Sequence, residues 1–245
     1  MNKWKTIWNS RTTEELIPHG STEEVFLHLK SLMNVSSSTE IAFSSYKDQF
    51  EANLVKMSIS CVGEPQSYFE VGCGSGMYLY YLGAQNKGFT LGGVDYSAPL
   101  IEAARMALSG SFASDSIKEL YCAEATEIDP LKTYDCVYSR SVFQYFASEA
   151  YGLEAAEKMI AKANQCVGIF DLFDPTRRDD FLAYRRSLIE NYDEKYADTP
   201  HLFYPKEMFL RLAEKHNYDV LFARDSSPGY WNEPFVYDVY LYKRH

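Results

Sequence analysis

From residue 67 onward, apolar positions follow two alternating patterns. Short runs rich in aromatic and β-branched residues predict strands, and longer runs with apolar residues every three or four positions predict helices. The predicted strands are residues 67–71, 90–94, 118–122, 134–138 and 166–171, and the helices between them are 76–85, 98–109 and 148–163. Strands and helices that alternate in this way form right-handed βαβ crossovers, so we expect a parallel sheet with helices on its faces.

The carboxyl-terminal part departs from this alternation. A predicted helix over 205–216 leads to a strand near 219–225, and a loop containing Pro228 and Gly229 leads to a last strand, 235–242. The connection between these two strands is too short for a helical crossover. They are therefore predicted to pair antiparallel.

Two further segments stand outside the alternating core. Residues 1–62 are mostly helical in pattern: Ser21–Glu24 resembles a helix start, and a second helix is predicted over about 39–60. We expect this N-terminal helical extension to cap a domain formed by residues 63–245. Residues 172–204 carry clustered charges and aromatic side chains and predict a lid insertion above the carboxyl edge of the sheet, where open α/β sheets bind ligands.

Composition narrows the class of protein. The formal net charge of −10 speaks against a nucleic-acid partner, because nucleic-acid-binding proteins usually present a basic face. No apolar run is long enough to span a bilayer, and the N-terminus lacks the apolar core of a signal peptide. The five cysteines form no C-x-x-C pair, which favours reduced core thiols. We expect a cytoplasmic monomer or homodimer, with no membrane association and no metal.

The most informative motif is a glycine-rich turn after the first predicted strand. The segment Ser67–Leu82 reads SYFEVGCGSGMYLYYL, so Glu70 is followed by glycines at positions 72, 74 and 76 and then by a helix. Glycine adopts positive φ and lets the backbone approach a ligand, and a helix start adds free N–H groups with partial positive charge. A dinucleotide-binding fingerprint needs its third glycine at position 77, where this chain has Met77.

Acids follow the next two predicted strands. Asp95 ends the second strand in LGGVDYS and can accept hydrogen bonds from both ribose hydroxyls of an adenosine. Glu124 follows the third strand in LYCAEATEID, where its carboxylate or the neighbouring amide can reach an adenine edge. Each acid has a simpler explanation: Asp95 could only end its strand, and Glu124 could be a solvated loop acid.

Together these motifs resemble those of the class I S-adenosylmethionine-dependent methyltransferases. The four similar segments, in family order, are EVGCGSG (Glu70–Gly76), VDYS (Val94–Ser97), AEA (Ala123–Ala125) and YDCVYSRSVFQYF (Tyr134–Phe146). The family more often has Asp at the position of Glu124. The resemblance covers about residues 65–245. It implies a Rossmann-like three-layer α/β sandwich with a seven-stranded, mostly parallel sheet whose last strand is antiparallel.

The resemblance also implies a site for S-adenosylmethionine and its product S-adenosylhomocysteine. Gly72, Cys73 and Gly74 would lie under the methionine part and the ribose, and Asp95 would bind the ribose. Glu70 would orient the turn or meet the amino group, unless it caps the helix at Gly76 instead. The implied cofactor residues are Glu70, Gly72, Cys73, Gly74, Gly76, Asp95, Tyr96, Glu124, Ala125 and Ser139.

Methyl transfer from a sulfonium depends mainly on alignment, and a general base matters most for an alcohol acceptor. His201, in TPHLFYP, is the first candidate base because an imidazole titrates near neutral pH. Arg140 would close the site near the sulfonium and, like Arg177 and Arg178, could hold an anionic substrate. The catalytic candidates are His201, Tyr145, Arg140 and Asp171, with Asp174 and Tyr204 as further possible bases.

No segment identifies the methyl acceptor. Analogy with the family favours a small molecule and O-methylation, on a hydroxyl of a sugar, a glycan precursor or a secondary metabolite. N-methylation of a small amine or amino sugar is the alternative. A nicotinamide-dependent dehydrogenase and a non-catalytic cofactor-binding module are the competing functions. Met77 and the absence of a suitably placed Tyr-x-x-x-Lys pair speak against the dehydrogenase.

Overall fold

The structure, a computed structural model, describes residues 3–11, 20–33, 41–85, 88–109, 115–224 and 232–244. Its helices are α1 (Lys3–Asn9), α2 (Thr22–Leu32), α3 (Phe43–Ser58), α4 (Met77–Ala84), α5 (Ala98–Ser109), α6 (Glu149–Lys162), α7 (Arg178–Leu188), α8 (Tyr192–Lys195) and α9 (Lys206–His216). Its strands are β1 (Ser67–Val71), β2 (Thr90–Asp95), β3 (Ile117–Cys122), β4 (Tyr134–Arg140), β5 (Ala163–Phe173), β6 (Tyr218–Ala223) and β7 (Val236–Lys243).

Across the described ranges the strands form one seven-stranded sheet in the order β3-β2-β1-β4-β5-β7-β6. The strands from β1 to β5 run parallel, and β7 pairs antiparallel with both β5 and β6. The predicted Rossmann-like fold is confirmed. Strand order reverses between β1 and β4, and ligands of open α/β sheets bind at the carboxyl ends of the strands beside such a reversal.

Alternate residues of β1 show how the sheet separates two helical layers. Tyr68 belongs to an apolar cluster with side chains of α2, α3, α4 and α5, whereas Phe69 belongs to a cluster with side chains of α6 and α9. Successive side chains of a strand point to opposite faces, so both faces of this strand are buried. This burial explains why β1 reads as a short apolar run.

The N-terminal extension packs on the layer that contains α4. The predicted helix start is confirmed by a capping box, in which the Ser21 hydroxyl accepts the Glu24 N–H and the Glu24 carboxylate accepts the Ser21 N–H. Helix α2 buries Val25, Phe26 and Leu29 in the cluster that includes α4. Its C-terminal end therefore lies close to the glycine-rich turn.

The segment predicted as a lid contains helices α7 and α8. Phe181 of α7 packs against Phe173 at the end of β5, with ring centroids 4.6 Å apart, and against Phe235 before β7. This contact fixes α7 above the carboxyl edge of the sheet. Residues 39–40 of the second predicted helix and the loop with Pro228 and Gly229 lie outside the described residues.

The structure also bears on the cysteines and on membrane-spanning helices. All five cysteines are free, but Cys122 is exposed, so its prediction as a core thiol is wrong. The Cys122 side chain projects from β3, which is the edge strand and has a partly exposed face. In the part of the chain that the structure describes, no helix combines the length and the apolar character needed to cross a membrane.

Candidate active site

The glycine-rich turn after β1 folds against the end of β2. Gly72, Gly74 and Gly76 have φ values of 76°, 53° and 75°, a region that glycine adopts without strain. The N–H groups of Gly72 and Cys73 both donate to the Val94 carbonyl oxygen, at 2.7 and 3.0 Å. These hydrogen bonds hold the turn beside the carboxyl end of β2.

Asp95, the last residue of β2, connects the turn to the following loop. Its Oδ2 accepts the Gly74 N–H at 2.9 Å, and its Oδ1 accepts the Ser97 N–H at 2.8 Å. Burial raises the pKa of Asp95 to about 6, although both hydrogen bonds favour the charged form. A carboxylate oxygen has two acceptor positions, so each oxygen can also receive a ligand hydroxyl.

Two adjoining cavities lie above this edge of the sheet, with volumes of about 310 and 70 Å³. Asp95 and Gly72 line both, together with Tyr96, Val142, Tyr145 and Phe146. The larger cavity continues from the turn toward α7 and the residues after α8. The smaller cavity lies beside the residues that follow β3.

Glu70 is buried beside the larger cavity. Its Oε2 accepts a hydrogen bond from the Tyr138 hydroxyl at 3.3 Å, and no bond to the start of α4 is seen among the described residues. Burial raises the pKa of Glu70 well above its ordinary value, while the Tyr138 hydrogen bond and the Arg140 charge act in the opposite direction. A cationic group bound here would favour the charged carboxylate.

The smaller cavity has an acid at its rim and aromatic side chains on its walls. Glu124 forms an ion pair with Lys5 of α1, and its Oε2 accepts the Tyr151 hydroxyl at 2.7 Å. Ala125 begins a short 3-10 helix and lines the same cavity as Tyr96. A narrow slot of this kind can hold a flat nitrogen heterocycle.

The segment that contains these features matches a known family. Residues 69–168 match the family model described as a methyltransferase domain, which spans the glycine-rich turn, Asp95, Glu124 and β4. Residues 69–168 therefore carry a methyltransferase domain, in agreement with the motifs that resemble those of S-adenosylmethionine-dependent enzymes. Comparison with curated protein sequences gives no match.

Solved structures share the fold of this methyltransferase at low sequence identity. Magnesium protoporphyrin IX methyltransferase from Synechocystis PCC 6803, with bound S-adenosylmethionine, is 10% identical, with a TM-score of 0.58 over 89% of this chain and 91% of that chain. The plantazolicin methyltransferase BpumL, in complex with S-adenosylhomocysteine, is 18% identical, with a TM-score of 0.58 over 83% and 86%. The small RNA methyltransferase HEN1 is 21% identical, with a TM-score of 0.61 over 86% of this chain but 27% of that chain.

Helix α1 of the methyltransferase lies across the cavities. Trp4 and Trp8 line the larger one, with ring centroids 4.8 and 5.6 Å from that of Tyr145. The Trp4 and Trp8 carbonyl oxygens accept the hydroxyls of Tyr96 and Ser97, at 3.4 and 3.0 Å. The Trp4 indole N–H donates to the carbonyl of residue 200 at 3.3 Å, so α1 joins the β2 edge to the segment after α8.

The glycines of the turn have different surroundings. A Cβ atom on Gly72 would lie 2.5 Å from a Val142 methyl group, and one on Gly74 would overlap the sulfur atom of Met33. A Cβ atom on Gly76 would lie 2.9 Å from the Cβ of Ala104 in α5. Gly72 and Gly74 line the larger cavity and Gly76 does not; the absence of a side chain at Gly76 permits the close approach of α4 and α5.

Cys73 lies between the two glycines that line the cavity. Burial raises the pKa of its thiol well above the ordinary value. A nucleophilic cysteine needs a lowered pKa, so Cys73 is suited to packing in the turn.

Arg140 lines the larger cavity from the end of β4 and is held by a buried polar network. Its Nη1 donates to the Asn53 Oδ1 at 2.7 Å, its Nη2 donates to Gln49, and its Nε lies 3.6 Å from the Asp171 Oδ2. Asn53 in turn donates to the Asp238 Oδ2 at 2.9 Å. These partners fix the Arg140 guanidinium between α3 and the sheet, where its charge acts on Glu70.

The structure places Ser141, and not the predicted Ser139, at the cavity. Ser139 is fully buried and its hydroxyl donates to the Val71 carbonyl at 2.8 Å, so it does not line either cavity. Ser141 lines the larger cavity and donates a hydrogen bond to Asp171. Both Ser141 and Asp171 have positive φ, 54° and 63°, and non-glycine residues in this region cluster at functional sites.

His201 reaches the larger cavity together with Tyr145. Its ring lies among those of Trp4, Phe173 and Phe181, with centroids 5.3 to 5.6 Å away. Burial, with a contribution from the Arg185 charge, lowers the pKa of His201 to about 3. Its Nδ1 is buried without a hydrogen-bond partner, so a ligand must reach this neutral imidazole through Nε2.

The other candidate bases have structural roles. Asp174 forms an ion pair with Arg224 at 2.6 Å, and the fully buried Tyr204 donates its hydroxyl to the Phe143 carbonyl at 2.9 Å. Neither lines a cavity. Within the described ranges, no group of three or more His, Cys, Asp or Glu side chains is placed to hold a metal ion.

Lys5, Ser141 and Arg185 are among the cavity residues that sequence reasoning did not identify as site residues. Arg185 of α7 is buried and lines the larger cavity, whereas the predicted anion-binding residues Arg177 and Arg178 do not. One signal was present, since Arg185 is four residues after Phe181 and so lies on the same buried face of the helix. Ser141 lies in the fourth motif, YDCVYSRSVFQYF, directly after Arg140, whereas Lys5 has no comparable signal.

Proposed function

We propose that the enzyme transfers the methyl group of S-adenosylmethionine to a hydroxyl oxygen of a small molecule. The observation that carries this proposal is the cover over the larger cavity: α1 spans it on one side, and α7 with the residues after α8 closes the other. A volume of about 310 Å³ is at the lower end of the range for small-molecule sites. A covered space of this size favours a small molecule over a group presented on the surface of a macromolecule.

The cofactor site would follow the turn and the ends of β2 and β3. The remaining acceptor positions of Asp95 suit a ribose diol, and the carboxyl group of Glu70 suits the cofactor's ammonium group. The backbone of Gly72, Cys73 and Gly74 would lie under the atoms between them. Tyr96, with Glu124 and Ala125 at the smaller cavity, would flank the adenine.

S-adenosylmethionine supplies a methyl group that is already activated on a sulfonium. The protein then has to orient the acceptor, exclude water and receive the acceptor's proton. Aromatic side chains of Trp4, Trp8 and Tyr145 form the walls that would orient a flat acceptor. Arg140 would stay fixed beside the reacting groups through its own buried partners.

Ser141 and Asp171 would receive the proton from the acceptor. A Ser141 hydroxyl already donates to the Asp171 carboxylate, so it can take a proton from an acceptor hydroxyl while its own proton passes to Asp171. His201 was the first candidate from sequence. With a pKa of about 3 its neutral imidazole is a weak base, so we propose that it accepts a hydrogen bond from the acceptor.

We also propose a separate role for each of three segments of the chain. Residues 1–62 would serve as the cap, because α1 and the end of α2 contact the cofactor side of the cavity. Residues 63–245 would form the methyltransferase domain, with residues 172–204 as the lid that faces the acceptor.

N-methylation of a small amine is the second candidate. The lowered pKa of His201 favours it, because a neutral amine needs no base before it attacks. An oxygen acceptor remains our first choice, since the Ser141–Asp171 pair provides a proton acceptor at the cavity.

Methyl transfer from carbon-13-labelled S-adenosylmethionine tests the proposal. Purified enzyme is incubated with separated small-molecule, RNA and protein fractions of a cell extract, with a Gly72→Val variant as the inactive control. We expect label in the small-molecule fraction, with the carbon-13 chemical shift of a methoxy group. Label confined to RNA or protein would contradict a small acceptor, and an N-methyl shift would replace O-methylation by the second candidate.

A further inference from the structure

Arg185 of α7 places a buried cation on the lid side of the larger cavity. Its guanidinium lies 5.5 Å from the ring centroids of both Tyr192 and Tyr196, and its Nη2 donates to the Tyr196 hydroxyl at 3.3 Å. The residue is only 7% exposed, although it comes from a lid helix with a polar outer face. The two tyrosines hold the guanidinium at a defined position in the cavity wall.

The other cations of the cavity wall have different surroundings. Among the described lining residues these are Lys30 and Arg140. Arg140 lies beside Asp171 and is bound by two side-chain oxygens of α3, and Lys30 lies over the Tyr46 ring at 4.9 Å. The acids that line the cavity, Glu70 and Asp95, belong to the cofactor side. Positive charge at the acceptor end therefore comes from Arg185.

The neighbours of Arg185 are flat and apolar. His201, Tyr145 and Trp4 line the same end of the cavity, with the Trp4 and Tyr145 ring centroids 5.3 and 5.7 Å from that of His201. A planar guanidinium binds carboxylate and phosphate groups through two parallel hydrogen bonds. Aromatic walls with a guanidinium at one end match a flat molecule with an anionic substituent.

His201 provides a second observation at this end of the cavity. Its Nδ1 is buried without a hydrogen-bond partner, and the positive charge of Arg185 helps to keep the imidazole neutral. An anion bound to Arg185 would offset that charge. His201 would then become a better hydrogen-bond acceptor for a substrate that is correctly seated.

We propose that Arg185 binds an anionic group, a carboxylate or a phosphate, on a flat ring-containing acceptor whose ring packs against the wall formed by Trp4, Tyr145 and His201. This inference rests on the proposed function, since it names the class of small molecule that the methyltransferase accepts. It also distinguishes the acceptor from a neutral sugar.

Calorimetric titration with small probes tests this inference. Benzoate, phenyl phosphate and the neutral analogue benzamide are each titrated into the full-length protein, with and without saturating S-adenosylhomocysteine. We expect at least one of the two anions to bind about tenfold or more tightly than benzamide, because hydrogen bonds to charged groups are the stronger ones. Preference for benzoate would identify a carboxylate, and preference for phenyl phosphate would identify a phosphate.

Two substitutions on the same helix connect the preference to one side chain. Arg185→Gln should abolish the preference for the anion over benzamide. Arg186→Gln should keep it, because Arg186 is half-exposed and paired with Asp193 at the surface. Arg185→Lys, which keeps the charge, should retain part of the preference and serves as the test if the glutamine variant does not fold.

Three results would overturn the inference: equal binding of anions and benzamide, no binding of either anion, or an unchanged preference in Arg185→Gln and Arg185→Lys. The outcome is separable from that of the proposed function. Anion binding that depends on Arg185, with methyl label only in RNA or protein, would contradict the small acceptor and leave the anion site intact.

Discussion

Replacing Asp95 by asparagine tests the cofactor site most sharply, because the substitution keeps the size of the side chain and removes its charge. Each carboxylate oxygen accepts one backbone N–H, from Gly74 or from Ser97, at 2.9 and 2.8 Å. An asparagine can accept through one atom only, so its NH₂ group would face one of these donors. The variant therefore loses acceptors for the ribose and weakens the loop on one side.

The magnitude follows from the two ribose hydroxyls. A hydrogen bond to a charged group contributes about 1.5–3 kcal/mol, so the loss of two such bonds, partly replaced by amide bonds, should cost about 3 kcal/mol. This corresponds to an increase of about 100-fold in the dissociation constant of S-adenosylhomocysteine.

A pH series adds a second readout. Burial raises the pKa of Asp95 to about 6. Only the charged carboxylate can accept both ribose hydroxyls, one at each oxygen, because protonation turns one oxygen into a donor. Affinity for S-adenosylhomocysteine should therefore increase as the pH rises through about 6 in the wild type. The Asp95→Asn variant should lack this step.

Isothermal titration calorimetry measures both effects, with thermal unfolding as the check that the variant is folded. Glu102→Gln is a matched control, since Glu102 is exposed on α5 and has no contact with either cavity. An Asp95→Asn affinity within twofold of the wild type, or an unchanged step near pH 6, would refute the placement of the ribose at Asp95.

Four other substitutions test separate parts of the site. Gly76→Ala should lower the free energy of unfolding in urea by about 1–3 kcal/mol, because φ is +75° and the new Cβ would meet Ala104; an unchanged midpoint would contradict this packing role. Trp4→Ala should speed the dissociation of S-adenosylhomocysteine about tenfold in stopped-flow measurements, because hydrogen bonding and ring packing of Trp4 hold α1 over the cavity. An unchanged dissociation rate would show that α1 does not cover the cofactor. His201→Gln should reduce the loss of unfolding free energy on acidification from about pH 6.5 toward 3, because the unfolded wild-type histidine binds a proton in that range and the folded one does not. Urea unfolding at a series of pH values measures this loss, and parallel curves for wild type and variant would argue against a buried neutral imidazole. Ser141→Ala should lower kcat about a hundredfold with little change in S-adenosylhomocysteine affinity, whereas Ser141→Thr keeps activity; equal kcat values would remove Ser141 from proton transfer.

Most of the fold could be predicted because each element carries its own local pattern. Strand β1 and helix α5 begin and end where the periodicity placed them, at residues 67–71 and 98–109. Strand β5 is longer than predicted, Ala163–Phe173 instead of 166–171. Its extra residues pair with β4 at one end and with β7 at the other, and such long-range pairing is absent from a local pattern.

The cofactor side of the site was predictable for the same reason. Gly72, Gly74 and Asp95 belong to short motifs, and the geometry that joins them follows from one turn between β1 and α4. Gly76 belongs to the same motif, but its neighbour is Ala104 on another helix. A glycine that faces a ligand and one that faces a helix look alike in sequence.

Other parts of the site, at the smaller cavity and on the acceptor side, depend on contacts between distant segments. Lys5 reaches Glu124 from a helix 119 residues earlier in the chain, and the surroundings of His201 come from α1, β5 and α7 together. Nothing near His201 in the sequence indicates that its pKa is lowered to about 3. Tertiary packing is therefore the reason why we propose that this histidine acts as a neutral hydrogen-bond acceptor instead of a base.

A crystal structure of the protein with S-adenosylhomocysteine tests the central claim most directly. The account predicts the ribose hydroxyls within hydrogen-bonding distance of Asp95, the amino group near Glu70 and the adenine in the smaller cavity beside Tyr96 and Ala125. Electron density for the ligand away from the glycine-rich turn, or a ribose without contact to Asp95, would contradict it.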